Sequence, residues 1–410
     1  MRIIVTFIAL LALLALSVGA IRAGTLPPAK VTLGDEVFLA SSWKQLHGRC
    51  VGIITNQTGV TSRLVNIVDA IKANPHICVK AIYSPEHGLR GDRPAGAYVS
   101  SYTDPRTSLP VYSLYGPQKH PTAAMLAGVD VLLFDIQDVG ARPYTFVSTM
   151  AYAMQAATQF HKEIWVLDRP NPIGGEAVEG PVLDPAFHSF IGLYPIAMRH
   201  GMTVGELAKL FNDAFDIHAD LHVITMQGWQ RDMLWPDTGL QWVQSSPNIP
   251  EWSTTVFYPC TGLIDSSGVN GGIGTTKPFK YAGGPTIDAY VLAKTLNARD
   301  LPGVYFRPAY WSPGTGFWTA KDLGGVELVV YDPTKFQPVT TAVNILTAVR
   351  TISPATLTIN DKTARAIDID WGTDTLRKGL MSGASANTIL TGWQPALEKF
   401  KTLRAKYLLY

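Results

Sequence analysis

Glu86 and His87 lie in Ser84-Pro85-Glu86-His87-Gly88, directly after the apolar run Ile77–Tyr83. Pro85 favours a turn, and Gly88 and Gly91 let a backbone approach a ligand closely. A carboxyl at a strand end, half walled off by apolar neighbours, can hold its proton and act as a general acid. His87 would orient it or touch the substrate. A carboxylate that only fixes its own turn would have the same sequence. Asp135 and Asp138, in the segment FDIQDVG, offer a second carboxylate or partners for sugar hydroxyls. Asp138 equally suits a turn cap or a pair with Arg142. Asp168-Arg169-Pro170-Asn171-Pro172 is a polar platform whose prolines fix the backbone. Arg199, followed by His200, can clamp a carboxylate in a bidentate fork, or neutralise a helix end. Glu206 stands three residues after Thr203, the capping-box spacing, and reads as structural. Two further rigid polar loops carry Asn248 (SPNIP) and Thr275 and Lys277 (GTTKPF).

Other chemistries lack their motifs. GTTKP is not the phosphate cradle G-x-x-x-x-G-K-[ST], and no G-x-G-x-x-G follows the first strand. H-E-x-x-H and G-x-S-x-G are absent. Tyr and Trp side chains in loops fit sugar stacking and ordinary packing alike.

The elements that must position these groups read as an α/β fold. Val51–Thr55, Ile77–Tyr83, Val129–Ile136 and Ile164–Leu167 are continuous apolar runs, expected as strands. Leu64–Lys72 and Thr145–His161 have helical periodicity. Apolar strands alternating with helices predict a parallel sheet covered on both faces. The four strands run into Asn56-Gln57-Thr58-Gly59, the Glu86 loop, Asp135 with Asp138, and Asp168-Arg169. Open α/β sheets bind ligands at that edge. Residues 169–200 read as a long ordered connection, and Thr203 to Phe215 as a helix. Residues 228–285 read as loop-heavy. A second α/β unit follows, with helices at Ile287–Asn297, Val339–Thr351 and Pro395–Lys406 and strands at Val304–Arg307 and Val326–Tyr331.

The 410 residues suffice for two domains, and 47% hydrophobic against 16% charged residues excludes a disordered chain. Arg2 and the apolar run Ile3–Val18, with Ala20 or Ala23 as cleavage positions, read as a secretory signal over residues 1–23. No cysteine follows it for lipid attachment. The rest of the chain would carry no net charge, so neither nucleic acid nor an anionic membrane is an expected partner. No later run is long enough to span a bilayer. The protein is therefore expected to be secreted or periplasmic, without stable membrane insertion once the signal is removed. Cys50 and Cys78 each open an apolar run and read as buried free thiols, with pairing in an oxidising compartment left open. The cysteine spacing offers no zinc site.

The segments NQTGV (56–60), SPEHGLRG (84–91), VLLFDIQDVGARPYT (131–145), LDRPNPIGG (167–175), VEGP (178–181), LYPIAMRHGMTVGELA (193–208), SPNIP (246–250) and GTTKPF (274–279) resemble those of the NamZ-type exo-β-N-acetylmuramidases. The likeness runs from about residue 31 to the C-terminus. It implies a Rossmann-like domain over 24–250, a smaller α/β domain over 251–410 and an active-site cleft between them. It implies release of β-linked N-acetylmuramic acid from the non-reducing ends of peptidoglycan fragments, with Glu86 leading the catalysis, His87 beside it, and neither metal nor cofactor. Asp135, Asp138 and Asp168 are the candidates for the second group. The carboxylate of muramic acid calls for a cationic clamp, which Arg90, Arg142, Arg169 or Arg199 can supply. Asn56, Tyr144, Asp168, Asn171, His200, Asn248, Thr275 and Lys277 complete the expected binding set. One loop departs from the family pattern Ser-Glu-Gly-Arg-Gly-Thr-Thr. The acidic and arginine positions are Gly271 and Ile273 here. This keeps open a non-catalytic cell-wall-sugar binder and a hydrolase of another amino sugar.

Overall fold

The computed structural model describes residue 26, residues 28–360 and residues 363–410. The expected signal, residues 1–23, lies outside them. Helix α1 (Gly34–Ala40) is followed by β1 (Cys50–Thr55), α2 (Ile67–Lys72), β2 (Cys78–Ser84), the short β3 (Tyr102–Thr103) and β4 (Pro110–Ser113). Next come β5 (Val131–Asp135), α3 (Phe146–Gln159), β6 (Glu163–Leu167), β7 (Glu179–Val182), β8 (Ala197–Arg199), α4 (Val204–Ala214) and β9 (Asp220–Ile224). Seven of these strands form one sheet in the order β3-β4-β2-β1-β5-β6-β9. Every pairing in it is parallel except β3 with β4. All five residues of β5 are buried, as its uninterrupted apolar run requires in a sheet covered on both sides. Helix α3 buries Phe146, Val147, Met150 and Met154. Helix α4 starts at a capping box in which Thr203 and Glu206 exchange hydrogen bonds, so Glu206 is structural as expected.

Register decides what the sheet can present. Thr55 pairs with Asp135, and Ile54 pairs with Tyr83. Asn56, Glu86 and Asp138 therefore leave the sheet at one rim.

The second part contains α5 (Trp252–Thr261), β10 (Tyr281–Gly284), α6 (Ala289–Asn297), β11 (Val304–Trp311), β12 (Leu323–Val330) and α7 (Pro338–Ile352). It ends with α8 (Ala364–Trp371), α9 (Thr375–Ser382) and α10 (Ala386–Arg404). Strands β10-β12-β11 form an antiparallel sheet. One apolar core joins the two parts, running from Phe134 and Met154 to Leu346 and Trp393. No helix among the described residues is long and apolar enough to cross a membrane.

Three expectations are corrected. Residues 228–285 contain α5, which carries Pro259 inside it. The connection 169–200 contains the antiparallel pair β7–β8. Cys50 and Cys78, read as free thiols, form a disulfide, because they are register partners at the starts of adjacent strands. Cys260 is free and buried. The bridge closes a loop with a sequence separation of 28. Its loss should lower unfolding stability by about 2–4 kcal/mol. Urea unfolding of Cys50→Ser against the oxidised parent measures this, and an unchanged midpoint would refute it. The bridge lies at the end of the sheet away from Glu86, so native-state turnover should survive the change.

Candidate active site

The turn after β2 holds Glu86 in place. Gly88 N–H closes the turn onto the Pro85 carbonyl at 3.1 Å, and His87 has φ of +70°. A left-handed histidine costs about 1–3 kcal/mol and concentrates at functional loops. Its Nδ1 donates to the Arg93 carbonyl at 2.8 Å, which leaves Nε2 as the acceptor of the neutral ring. The Glu86 carboxylate accepts from Gly96 N–H at 2.9 Å and from the Thr145 hydroxyl at 2.8 Å. Glu86 is 8% exposed, sheltered yet open on one side. The Tyr115 phenol faces it; burial and then the Glu86 charge push that phenol up to about 12.

Asp138 comes from the next strand end. Its Oδ2 accepts from Gly140 N–H at 2.7 Å, and its Oδ1 is buried without a partner. His200 Nδ1 accepts from Met202 N–H at 3.2 Å, so Nε2 carries the proton of the neutral ring. That Nε2 stands 3.5 Å from Asp138 Oδ2. The Tyr144 and Tyr258 rings meet edge to face at 5.7 Å, and burial, with the Glu86 and Asp138 charges adding to it, raises both phenols. Tyr144 donates to Ser245 Oγ at 2.8 Å, and Gln57 donates to the carbonyls of Gln244 and Ser245. These bonds bring the 244–249 loop, with half-buried Asn248, to the same rim. Gly91 is needed where Gln57 passes: its φ is +67°, and a Cβ there would lie 2.1 Å from the Gln57 amide. Asn56 Oδ1 accepts from the Thr58 N–H and hydroxyl, while its Nδ2 is buried without a partner.

The other expected residues are engaged within the protein. Arg169, 3% exposed, joins Asp135 at 2.5 Å and Asp35 at 3.0 Å and donates to the Val60 carbonyl. Burial raises both aspartates, with Arg169 opposing that shift. Asp168 accepts from Thr203, Gly205, Arg169 N–H and Tyr410, and burial raises its carboxyl to about 6. Asn171 bridges Ile173 and Met202. Arg142 donates to the carbonyls of Pro181, Ile196 and Asp370. Arg199 pairs with Glu179 at 2.8 Å and lines a cavity of about 580 Å³ beside Trp393 and Lys401, none of whose lining residues belongs to the Glu86 set. Arg90 pairs with Asp104 at 2.7 Å. Lys277 pairs with Glu327 on the antiparallel sheet, and Thr275 closes its own loop onto the Gly272 carbonyl.

Tyr115, Thr145, Ser245 and Tyr258 were not read as site residues. The strand-end rule would have reached Tyr115 had β4 been recognised, since it lies two residues past that strand. In the divergent loop, a Cβ on Gly271 would lie 2.4 Å from the Thr261 carbonyl oxygen, and Ile273 packs on the apolar core. This backbone leaves no room for a side chain at 271.

The family model described as exo-beta-N-acetylmuramidase NamZ, N-terminal, matches residues 51–253, and the one described as exo-beta-N-acetylmuramidase NamZ, C-terminal, matches residues 256–410. The chain belongs to the NamZ family. By that membership it is a glycoside hydrolase. It is 45% identical, over 381 residues, to a Bacillus subtilis protein named peptidoglycan beta-N-acetylmuramidase NamZ; the match covers 93% of this chain and 92% of the relative. A crystal structure of a DUF1343 family protein from Bacteroides fragilis superposes with a TM-score of 0.88 at 36% identity, covering 94% of this chain and 100% of that one. A second DUF1343 structure from the same organism gives a TM-score of 0.72 at 29% identity, covering 93% and 99%.

Proposed function

We propose that this NamZ-family protein is a secreted, exo-acting hydrolase that releases β-linked N-acetylmuramic acid from the non-reducing ends of peptidoglycan fragments. The 45% identity to the Bacillus subtilis peptidoglycan beta-N-acetylmuramidase over nearly the whole of both chains is the observation that carries this reading. The N-terminal apolar run and the Cys50–Cys78 bridge support export to an oxidising compartment. In our reading the cleft lies between a Rossmann-like domain over 24–250 and a smaller domain over 251–410.

Glu86 is the general acid that protonates the leaving glycosidic oxygen. Asp138 is the second group and stabilises the oxocarbenium-like transition state or activates water, with His200 Nε2 3.5 Å from its carboxylate. Asp135 is left out of that role because Arg169 holds its oxygen. His87 and Tyr144 line the same site. The test is a pair of chromogenic glycosides. The β-N-acetylmuramide should be cleaved and the matching β-N-acetylglucosaminide should be a far poorer substrate. Saturable binding of muramic acid with no turnover at any pH would instead favour the binding protein suggested by Gly271 and Ile273.

A further inference from the structure

The site is continued on one side by a wall assembled from three separate segments. The first member beside Glu86 is Tyr115: the two stand two residues past Ser84 and Ser113, which are register partners on the adjacent parallel strands β2 and β4. The Tyr115 ring lies 5.9 Å from that of Phe190, which belongs to the 189–192 turn. Phe190 lies 5.9 Å from Tyr152 on α3, and those planes are 21° from parallel. His120 closes the row, 3.9 Å from Tyr152. None of the three phenyl-type rings is fully buried. Tyr152 packs on the apolar core, and all three rings keep part of their apolar surface accessible. Flat aromatic surface of this kind matches the C–H face of a pyranose.

The wall also carries a cation. Lys119 Nζ stands 5.4 Å from the centre of the Phe190 ring and donates to the Gly116 carbonyl at 2.9 Å. No carboxylate among the described residues lies within ion-pair distance of it. The arginines that sequence suggested for a carboxylate clamp all have other partners: Arg90, Arg142, Arg169 and Arg199 are engaged as described above. Lys119 is thus an ammonium without a counter-ion on the aromatic surface that begins at Glu86.

We propose that Tyr115, Phe190 and Tyr152 form the subsite for the sugar cleaved at Glu86, and that Lys119 receives the carboxylate of its lactyl ether. This inference rests on the reading of the protein as a muramidase and adds what distinguishes N-acetylmuramic acid from N-acetylglucosamine, since the two sugars differ only by that carboxylate-bearing ether.

The test compares the parent, Lys119→Met and Phe190→Ala on the aryl β-N-acetylmuramide and β-N-acetylglucosaminide. Calorimetric binding of free N-acetylmuramic acid and N-acetylglucosamine to the full-length Glu86→Gln protein, with and without Lys119→Met, runs beside it. Lys119→Met should raise KM for the muramide about tenfold, the size of one charge-assisted contact. It should leave kcat and the glucosaminide KM nearly unmoved. Phe190→Ala should raise KM for both sugars. A KM ratio between the sugars that Lys119→Met does not change would overturn the subsite. Absence of turnover in the parent would sink the muramidase reading alone. Binding then decides the subsite: preference for muramic acid lost on Lys119→Met supports it, and an unchanged preference refutes it.

Discussion

Replacing Glu86 by glutamine is expected to lower kcat on the β-N-acetylmuramide by about 10²–10⁴-fold, the usual contribution of a positioned general acid. The change keeps the shape of the side chain. Its carbonyl oxygen can still accept from Gly96, and its amide can donate to a rotated Thr145 hydroxyl, so both contacts of Glu86 have a replacement. Stability should therefore move by no more than about 1 kcal/mol, and KM should change far less than kcat. The loss should also depend on the leaving group. An activated aryl glycoside departs with little help from an acid, whereas a sugar alcohol needs its oxygen protonated. Turnover of a natural disaccharide should consequently fall further than turnover of the nitrophenyl glycoside. Equal losses on both would indicate that Glu86 binds substrate without donating a proton, and near-parental turnover would remove it from the mechanism.

The second large effect is on folding. Arg169 lies between Asp35 and Asp135 in a site that excludes water, with all three side chains at most 3% exposed. Its charge is held by Asp135 and Asp35 against the burial that disfavours it. Arg169→Met removes the cation while filling most of the volume. Two buried carboxyls then face each other and the Val60 carbonyl loses its donor. Breaking a buried pair in this way costs about 3–5 kcal/mol. The pH dependence follows from the direction of the shifts. Both carboxyls are raised by burial in the parent, and without Arg169 to oppose it the rise is larger. A raised carboxyl contributes stability below its unfolded value of about 3.9 and loses it as pH climbs through the folded value. The variant should be weakest near neutrality and recover relative to the parent as the solution is acidified. Urea midpoints at pH 7 and pH 5 measure this. A deficit that is equal at both would show that the cost comes from packing and not from charge.

The parallel sheet was legible because its central strands are apolar without interruption, as in Val131 to Phe134, and because Thr203 and Glu206 announce a helix start. The rim was legible because polar residues follow four of those strands. Strand β9, Asp-Leu-His-Val-Ile, was not read: it is an edge strand with an exposed first residue, and nothing in its own pattern distinguishes it from loop. Helix α5 was hidden by Pro259. The arginines show where local sequence stops informing. Arg142, Arg169 and Arg199 have the motif context of ligand clamps, yet their partners lie 20 to 228 residues away. Whether a guanidinium meets a ligand or a carbonyl depends on the tertiary fold. The disulfide was missed for the same reason, since it depends on the register of β1 against β2.

Arg142 has one more implication. Its guanidinium is tied to Pro181 and Ile196 on one side and to Asp370 on the other, two residues from the phenol of Tyr144 that lines the rim. Any rotation of the helix carrying Asp370 against the segments of Pro181 and Ile196 would have to break this shared anchorage. One guanidinium thereby ties the start of the Tyr144 segment to the C-terminal helices, and relative motion of the two would carry the cost of breaking it.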